Sequence, residues 1–396
     1  MSKTLGSFEE ALAVAKTLAE DFSKTAAERD RKGGTPARER NLIKESGLLN
    51  FFIAREHGGT GGSWKGLIEI FNEFARVDSS LAHLFAFHNY QLATVRLYGN
   101  KEQWTKLHRD TATNGWFWAN ALNQLKRDVI AVRQKDGSYL WDGAKNFATG
   151  ANGSDYITIA GSEDSEEGRT LVAAIPTSRE GIEIEDGWDN VGQRQTDSGR
   201  LIFHSVRVEA NEVLIEPGPL STPFSSFRPL IGQLFFGSLF LGVAEGAYAA
   251  AIDYVHGKES RPWLASIAPS AQKDPLLLRR LGELLVYLEG ARALVDRVND
   301  MIDPIWAKAD ALSARERGEF AIAVAKSRCA ATRAALEVTS GIFDALGSRA
   351  TTRELGFDRF WRNARTQTLH DPIDYKLLAI GDHALNGDYP TPTFYS

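Results

Sequence analysis

The histidines are the first side chains in this sequence that could do chemistry. His83 and His88 lie five residues apart in an apolar and aromatic segment, and this spacing puts them on different faces of a helix. A lone histidine in such surroundings is more often a core residue than a catalyst. None of the eight histidines belongs to an HExxH or similar metal-binding spacing, so we predict no metal site.

His370 stands in a different context, because Asp371 and Pro372 follow it and a segment rich in arginine and aromatic residues precedes it. A histidine beside an acid near a helix end can act as a general acid or base. The same three residues are also typical of a helix end, since proline disfavours helical backbone in the residue before it. Side-chain chemistry alone leaves both interpretations open.

Two arginines follow long helical patterns, in segments typical of loops. Arg261 lies in Ser-Arg-Pro-Trp and Arg349 in Gly-Ser-Arg-Ala-Thr. A guanidinium in such a loop can bind a phosphate through two parallel hydrogen bonds. Taken alone, both would be interpreted as surface arginines.

The composition excludes several classes of protein. The chain has 396 residues, 43% of them hydrophobic and 10% aromatic, which predicts a folded protein of more than one domain. Its 46 basic and 51 acidic residues give a net charge of −5, so we expect no nucleic-acid partner. The longest apolar stretch, residues 230–244, is interrupted by glycine and glutamine and indicates a buried helix, not a membrane span. The single cysteine, Cys329, rules out a disulfide framework and favours a reducing, cytoplasmic location.

Hydrophobic periodicity divides the chain into three parts. Residues 8–108 and the chain from 235 onward repeat apolar residues at helical spacing, whereas residues 116–213 contain short apolar runs separated by turns. The pattern predicts an α+β, mostly helical fold in which an antiparallel β domain stands between two helical parts. The predicted domains are 1–113 (N-terminal helices), 114–222 (central β domain) and 223–396 (C-terminal helical bundle).

Four sequence blocks, taken together with this order of domains, resemble the acyl-CoA dehydrogenase superfamily over nearly the whole chain. The resemblance implies an N-terminal helical domain, a central β domain and a C-terminal four-helix bundle. It also implies a flavin between the β domain and the bundle, at a dimer interface within a homotetramer. The four blocks are residues 48–59, 142–150, 192–199 and 203–208.

The chain departs from the dehydrogenases at the residues that those enzymes need. Their catalytic glutamate block corresponds to His370-Asp371-Pro372 here, and the other position used for that base falls near Gly232, where there is no carboxylate. Their Gly-Gly pair beside the adenine half of FAD is replaced by Gly-Ser-Arg ending at Arg349. A cation at that point suits a terminal phosphate, which favours FMN over FAD.

Five blocks, one of which (192–199) also belongs to the four above, are similar to the flavin-dependent monooxygenase branch of this superfamily, above all to the dibenzothiophene monooxygenases of desulfurisation. That resemblance implies reduced FMN from a separate NAD(P)H-dependent flavin reductase and O2 as co-substrate. It implies that a C4a-hydroperoxyflavin oxygenates a small apolar aromatic or heterocyclic substrate, as in S-oxygenation. The five blocks are residues 175–179, 192–199, 356–363, 369–372 and 385–390.

The resemblance also implies roles for single residues. His88 and His370 match two active-site histidines, with Asn120 and Thr149 beside the flavin as further catalytic candidates. Arg349 is expected to reach the cofactor from a neighbouring subunit, and the loop after Asn123 is shorter than the lid of those enzymes. The expected cofactor-binding residues are Asn120, Thr149, Arg261, Trp263, Arg349 and His370, and the expected substrate pocket comprises Phe85, Phe87, Tyr90 and Trp118.

Three alternatives stay open. The chain could be a related oxygenase that acts on an indole, an amine or a sulfone. It could be an acyl-CoA dehydrogenase with FAD in which Asp371 is a shortened base. It could also be a non-catalytic relative that only binds flavin or a partner.

Overall fold

Capping side chains set the starts of the N-terminal helices. In the computed structural model, which describes residues 3–122, 127–257 and 260–396, Ser7, Ser63 and Asp78 each accept a backbone N–H from the helix that follows. Asn100 and Gln103 form a reciprocal capping box. The helices are α1 (Phe8–Ser23), α2 (Ala26–Lys32), α3 (Ala37–Ser46), α4 (Trp64–Val77), α5 (Ser79–Tyr98) and α6 (Lys101–Asn114).

The central part is one sheet, ordered β1-β4-β2-β3-β7-β6, with β5 also paired to β4. Short runs of β-branched and aromatic residues form its strands, and turns such as Asp136-Gly137 separate them. The strands are β1 (Trp118–Ala121), β2 (Val129–Arg133), β3 (Tyr139–Lys145), β4 (Tyr156–Glu163), β5 (Thr170–Pro176), β6 (Ile182–Glu185) and β7 (Arg200–Val208).

The sheet is mixed, which corrects the prediction of a wholly antiparallel domain. The β2–β3, β3–β7, β4–β5 and β6–β7 pairs are antiparallel, whereas β1 and β2 both run parallel to β4. β1 pairs with Tyr156–Ile159 and β2 with the end of the same strand, so the two follow each other along one edge. A period of two identifies strands but carries no information about their direction.

The C-terminal part is a bundle in which α7 and α9 form the central pair. Asp274 caps α8, and Ser313 forms a capping box with Glu316 at the start of α9. Small residues on α7 allow α4 to approach closely at Gly242 and Gly246. The helices are α7 (Arg228–His256), α8 (Pro275–Trp306), α9 (Ala314–Leu346), α10 (Asp358–Thr368) and α11 (Ile373–Asn386).

Helix α5 lies at the centre of the molecule. All of its residues are buried except Arg96, which is half-buried. The helix contacts α4, α7 and β1, so it touches both helical parts and the sheet. A helix that is apolar all round is the kind that a core encloses completely.

The segment after α11 folds back onto the bundle. Lys376 of α11 donates a hydrogen bond to the backbone oxygen of Tyr395 at 2.5 Å, and Arg317 of α9 donates one to that of Ser396 at 2.5 Å. These two bonds hold Phe394 and Tyr395 against the space between the bundle and the sheet.

The predicted order of helices, sheet and helices is confirmed. The predicted boundary at 113/114 falls at the end of α6, and the one at 222/223 falls between β7 and α7. Among the described residues, the helical stretch Ser225–His256 is long and apolar enough to cross a membrane, but 72% of its most apolar 18-residue segment is buried inside the protein.

The close crossing of α4 and α7 gives a stability prediction. A Cβ at Gly246 would lie 1.9 Å from the backbone oxygen of Arg76, so Gly246→Ala must push the two helices apart. We expect it to lower the free energy of unfolding by about 3 kcal/mol, as overpacking of a core does. The control is Gly381→Ala on α11, where an added Cβ meets nothing within 4 Å and should be neutral or slightly stabilising. Thermal unfolding of both variants measures the difference, and equal melting temperatures would contradict the prediction.

Candidate active site

A cavity of about 820 Å³ lies between the sheet and the helical parts. Its volume falls in the range of about 300–1,000 Å³ typical of small-molecule sites. One wall, called the sheet wall here, comes from β1 and from the loops after β3 and β6; other lining residues come from α5, from α7, and from α10 and the turn after it. The principal lining residues are His83, Phe87, Tyr90, Asn120, Phe147, Thr149, Trp188, Thr196, Ser198, Arg228, Gly232, Gln233, Phe236, Trp361, Arg365, His370, Phe394 and Tyr395.

The sheet wall carries a chain of hydroxyl groups. The Thr149 and Ser198 hydroxyls are 2.9 Å apart, and those of Ser198 and Thr196 are 2.8 Å apart. The backbone N–H of Asn120 donates to the Thr149 carbonyl at 3.0 Å, which brings the two predicted flavin-side residues next to each other. These hydroxyls can donate to or accept from a polar ring edge.

His370 lies in the turn after α10 and opens into the cavity. Its ring centroid is 4.8 Å from that of Phe236 and 6.0 Å from that of Tyr395. Desolvation by the surrounding protein, together with the nearby charge of Arg328, lowers the pKa of His370 to about 4. The imidazole is therefore neutral at physiological pH.

His83 reaches the same cavity from α5. Its ring packs edge-on against Phe87 at 4.3 Å and against Phe236 at 5.8 Å, so Phe236 touches both cavity histidines. Neither ring nitrogen of His83 makes a hydrogen bond of normal geometry among the described residues, although the Gln193 side chain is near enough to interact with the ring. Burial, and secondarily the proximity of His370, lower the pKa of His83 to about 3. Two neutral histidines thus face one cavity.

The structure does not bring His88 to this cavity, which corrects its predicted place there. Its Nε2 donates to the Leu49 carbonyl at 2.9 Å, and its Nδ1 accepts the backbone N–H of Trp118 at 3.2 Å. The side chain is fully buried and stacks on Phe117. With both ring nitrogens bonded to backbone, His88 is a core residue that ties α5 to the chain before it and to β1.

Sequence reasoning missed His83, although the sequence contains a signal for it. Because α5 is buried on all sides and has no polar face, periodicity marks no cavity face. The predicted pocket residues Phe87 and Tyr90 lie four and seven positions after His83, which is the spacing of one helical face. His88 lies on another face.

Two predicted pocket residues also lie elsewhere. Phe85 is buried against Phe74, with ring centroids 5.5 Å apart. The indole of Trp118 donates to the Thr111 hydroxyl at 2.9 Å and is fully buried. Neither residue lines the cavity, so their place in the predicted pocket is wrong, whereas Phe87 and Tyr90 do line it. Aromatic residues in this region serve the core as much as the site.

The three remaining cofactor candidates lie outside the cavity of the single chain. Arg261, Trp263 and Arg349 are all exposed, and the Trp263 side chain is 69% exposed. Their role in holding a phosphate, with Arg349 reaching from a neighbouring subunit, stays a prediction. The predicted short lid after Asn123 begins within residues 123–126, which lie outside the described residues.

Arg228, the first residue of α7, is a cavity residue that sequence reasoning missed. Its guanidinium lies over the Tyr90 ring at 4.2 Å, and its Nε donates to the Thr94 hydroxyl at 2.8 Å. Its Nη2 donates to the Asn120 side-chain oxygen at 3.3 Å. The local sequence Ser-Phe-Arg-Pro-Leu offers no motif that marks this arginine.

Asp371, the shortened base of the dehydrogenase alternative, faces away from the cavity. Its carboxylate pairs with the Lys376 ammonium at 2.8 Å and accepts a hydrogen bond from Gln233 at 2.8 Å. It is buried and does not line the cavity. A carboxylate held in this way is not positioned to take a proton from a molecule bound there.

The chain matches family models and known proteins along nearly its whole length. Residues 9–114 match the N-terminal domain model of the acyl-CoA dehydrogenases, and residues 234–375 match a C-terminal domain model. The chain is 49% identical to a probable FMNH2-dependent monooxygenase, SfnC, from Pseudomonas putida, over 98% of this chain and 97% of that protein.

Two solved structures are similar along almost their whole length. Methanesulfinate monooxygenase MsuC from Pseudomonas fluorescens superposes with a TM-score of 0.95 at 48% identity, covering 97% of this chain and 99% of MsuC. TdsC, a dibenzothiophene monooxygenase from Paenibacillus sp. A11-2 solved with FMN and indole, gives 0.93 at 38% identity, covering 98% and 100%.

The fold and the cavity define a flavoprotein scaffold in which a sheet and a helical bundle enclose a ring-sized site, and the chain belongs to the acyl-CoA dehydrogenase family. Within that family its relatives are FMNH2-dependent monooxygenases, which confirms the predicted branch.

The two histidines of α5 give a paired prediction. His88→Ala removes two buried hydrogen bonds and a packed ring, so we expect a loss of about 3 kcal/mol of stability. His83→Ala removes a ring without hydrogen-bond partners and should cost much less stability while abolishing activity. Thermal unfolding and product formation, measured at a temperature where both variants are folded, separate the two effects. If His88→Ala abolished activity at little cost in stability and His83→Ala mainly lowered stability, His88 would be the cavity histidine.

Proposed function

We propose that the chain is a two-component monooxygenase that uses reduced FMN and O2 to oxygenate an organic sulfur compound. The observation that carries the proposal is that one cavity is lined both by the neutral histidines His83 and His370 and by the linked hydroxyls of the sheet wall. The relatives named above support both the cofactor and the reaction class. An aromatic or heterocyclic substrate, and an indole as the alternative, are suggested by the molecules that TdsC acts on or binds.

The cavity residues fit a flavin ring. Hydroxyls of Thr149 and Ser198 suit the polar edge of the ring, and the aromatic side chains of Trp188 and Phe147 suit its apolar part. Arg261, Trp263 and Arg349 are the candidates for the phosphate end, with Arg349 supplied by a neighbouring subunit. When bound in its reduced form, FMN supplies the two electrons that activate O2.

His83 and His370 position and move protons around the reacting oxygen. Because their lowered pKa values keep both rings neutral, each can donate from one nitrogen and accept at the other. A neutral imidazole has a single N–H group, with which it can donate a hydrogen bond to the reacting oxygen. This favours a role in orienting that oxygen over a role in protonating it early. Phe236, between the two rings, helps to exclude water from the space that they share.

The electrons must come from another protein. We propose a diffusing NAD(P)H-dependent flavin reductase, because the sequence has no nicotinamide-binding glycine motif. The experiment that tests the whole proposal extracts and identifies the bound flavin. It then supplies reduced FMN and O2 with a panel of thiophenes, indoles, sulfoxides and sulfinates, and measures product against hydrogen peroxide. Peroxide alone with every substrate would refute the function.

Removing the His370 ring tests its part in the reaction. We expect His370→Ala to lower the rate of oxygenation by roughly 100-fold or more, as loss of a general acid–base group does. The affinity for FMN should stay nearly unchanged, and reduced FMN should then give peroxide in place of product. Stopped-flow kinetics and a flavin-binding titration measure the two effects. An equal loss of both would assign His370 a structural role.

We also propose that the chain is a homotetramer. Apolar side chains stand exposed on α8, and the loop before it exposes Leu264 at 98% and Ile267 at 103%. Isolated water-soluble chains seldom expose so many large apolar groups together. The exposed residues on α8 are Leu276, Leu278, Leu285, Val286 and Tyr287.

A charge on α8 tests the assembly. Val286 is 74% exposed, so Val286→Glu should leave the fold of the single chain intact while opposing any apolar contact there. We expect the tetramer to dissociate into smaller species in light scattering after gel filtration. FMN affinity should fall with it, if a neighbouring Arg349 holds the phosphate. A wild-type protein that is monomeric would refute the proposal.

A further inference from the structure

We infer that Arg228 binds an anionic oxygen group of the substrate, and that the substrates are therefore sulfur oxyanions of the sulfinate class, R–SO2⁻. The inference rests on the proposed function and specifies the chemical class of substrate that the same cavity binds. It concerns the charged end of the substrate, so the organic group R can be alkyl or aromatic.

The guanidinium of Arg228 is fixed by neutral partners. The residue is 5% exposed and lines the cavity. Its Nε and Nη2 donate to the Thr94 hydroxyl and the Asn120 side-chain oxygen, and its flat face covers Tyr90. The described part of the chain gives its Nη1 no acceptor. The group is thus held in place while part of its donor edge stays available to the cavity.

No carboxylate neutralises this cation. In the described part of the chain Arg228 forms no ion pair, although the structure pairs many other arginines. Asp189 is the one acidic residue among the described cavity-lining residues, and it pairs with Arg194 while its side chain is 82% exposed. Asp371, behind the wall, is already paired with Lys376.

An unpaired buried cation favours an anion in the cavity. Burying a charge without a partner is costly, and a bound anion recovers that cost. The titratable cavity groups that interact with the Arg228 charge are the phenols of Tyr90 and Tyr395, whose pKa values burial raises, and His370, whose pKa is lowered, so all three are neutral at physiological pH. Arg365 also lines the cavity, but its side chain is exposed. A neutral heterocycle would leave the guanidinium unpaired, and the guanidinium also covers the Tyr90 face on which such a ring could stack.

A sulfinate fits both the guanidinium and the reaction. Its two oxygens accept hydrogen bonds from a guanidinium edge, and its sulfur keeps the lone pair that attacks the activated oxygen. The sulfur is oxidised by two electrons as one new S–O bond forms, and the O–O bond breaks. The balanced reaction is R–SO2⁻ + FMNH2 + O2 → R–SO3⁻ + FMN + H2O. MsuC, 48% identical to this chain, is a methanesulfinate monooxygenase, which supports the assignment.

The experiment compares charged and neutral substrates of matched shape. Methanesulfinate is paired with dimethyl sulfoxide, and benzenesulfinate with methyl phenyl sulfoxide, on the wild-type protein, Arg228→Gln and Arg228→Lys. We expect Arg228→Gln to raise KM for the sulfinates by roughly 10- to 100-fold, the loss of charge-assisted hydrogen bonds. KM for the sulfoxides should change little, and Arg228→Lys should lie between wild type and Arg228→Gln for the sulfinates. Because each variant serves as its own control across substrates, a general folding defect cannot produce this pattern.

A binding measurement without turnover accompanies the kinetics. Calorimetric titration of the FMN-loaded protein with methanesulfonate, the product, should show binding to wild type and loss of it in Arg228→Gln. Separate titration with FMN should show the same flavin affinity for both proteins. If Arg228→Gln lowers the FMN affinity as much as the methanesulfonate affinity, Arg228 serves the flavin and the inference is overturned.

The substrate panel distinguishes a failure of the inference from a failure of the proposed function. Oxygenation of dibenzothiophene, indole or the sulfoxides, with no sulfinate turnover, overturns the anionic substrate class and leaves the monooxygenase standing. Oxidation of reduced FMN to peroxide with every substrate overturns the function itself. Sulfinate turnover that Arg228→Gln leaves unchanged overturns the role of Arg228 alone.

Discussion

The site depends on one constraint, which is that α5 must be buried on every side. The helix contacts α4, α7 and β1, so its burial joins the two helical parts to the sheet. A single face of this helix then supplies His83, Phe87 and Tyr90 to the cavity, while another face supplies His88 to the backbone contacts of the core. Packing and chemistry share the same 20 residues but use different faces of the helix, so a substitution on one face can change one of them with little effect on the other.

Much of the fold, and part of the site, could be predicted from the sequence. Helical periodicity and short apolar runs gave the three-part order, and the family blocks marked Asn120, Thr149 and His370, all of which line the cavity. Parallel pairing of β1 and β2 with β4 could not be predicted, because strand direction depends on connections and not on side-chain alternation.

The errors at α5 have a physical cause. In a helix that is buried on every side, hydrophobic periodicity cannot mark the face that lines a cavity, so His88 and Phe85 were predicted to lie there and His83 was not. Arg228 was missed because no motif in its local sequence marks it. Its function follows from what surrounds its guanidinium in space, since its neighbours Thr94 and Asn120 are more than a hundred residues away along the chain.

Burial of the histidines also couples proton uptake to unfolding. His83, His88 and His108, which are all buried, have pKa values of about 3 to 4 in the folded protein, against 6.5 for an ordinary histidine, mainly because of desolvation. As the pH falls from about 6.5 toward 4, the unfolded chain binds protons that the folded chain does not bind. Stability is therefore complete above that range and is lost progressively within it. The same enclosure that keeps these three rings neutral makes acid a denaturant, because each of them can take up a proton once the core opens.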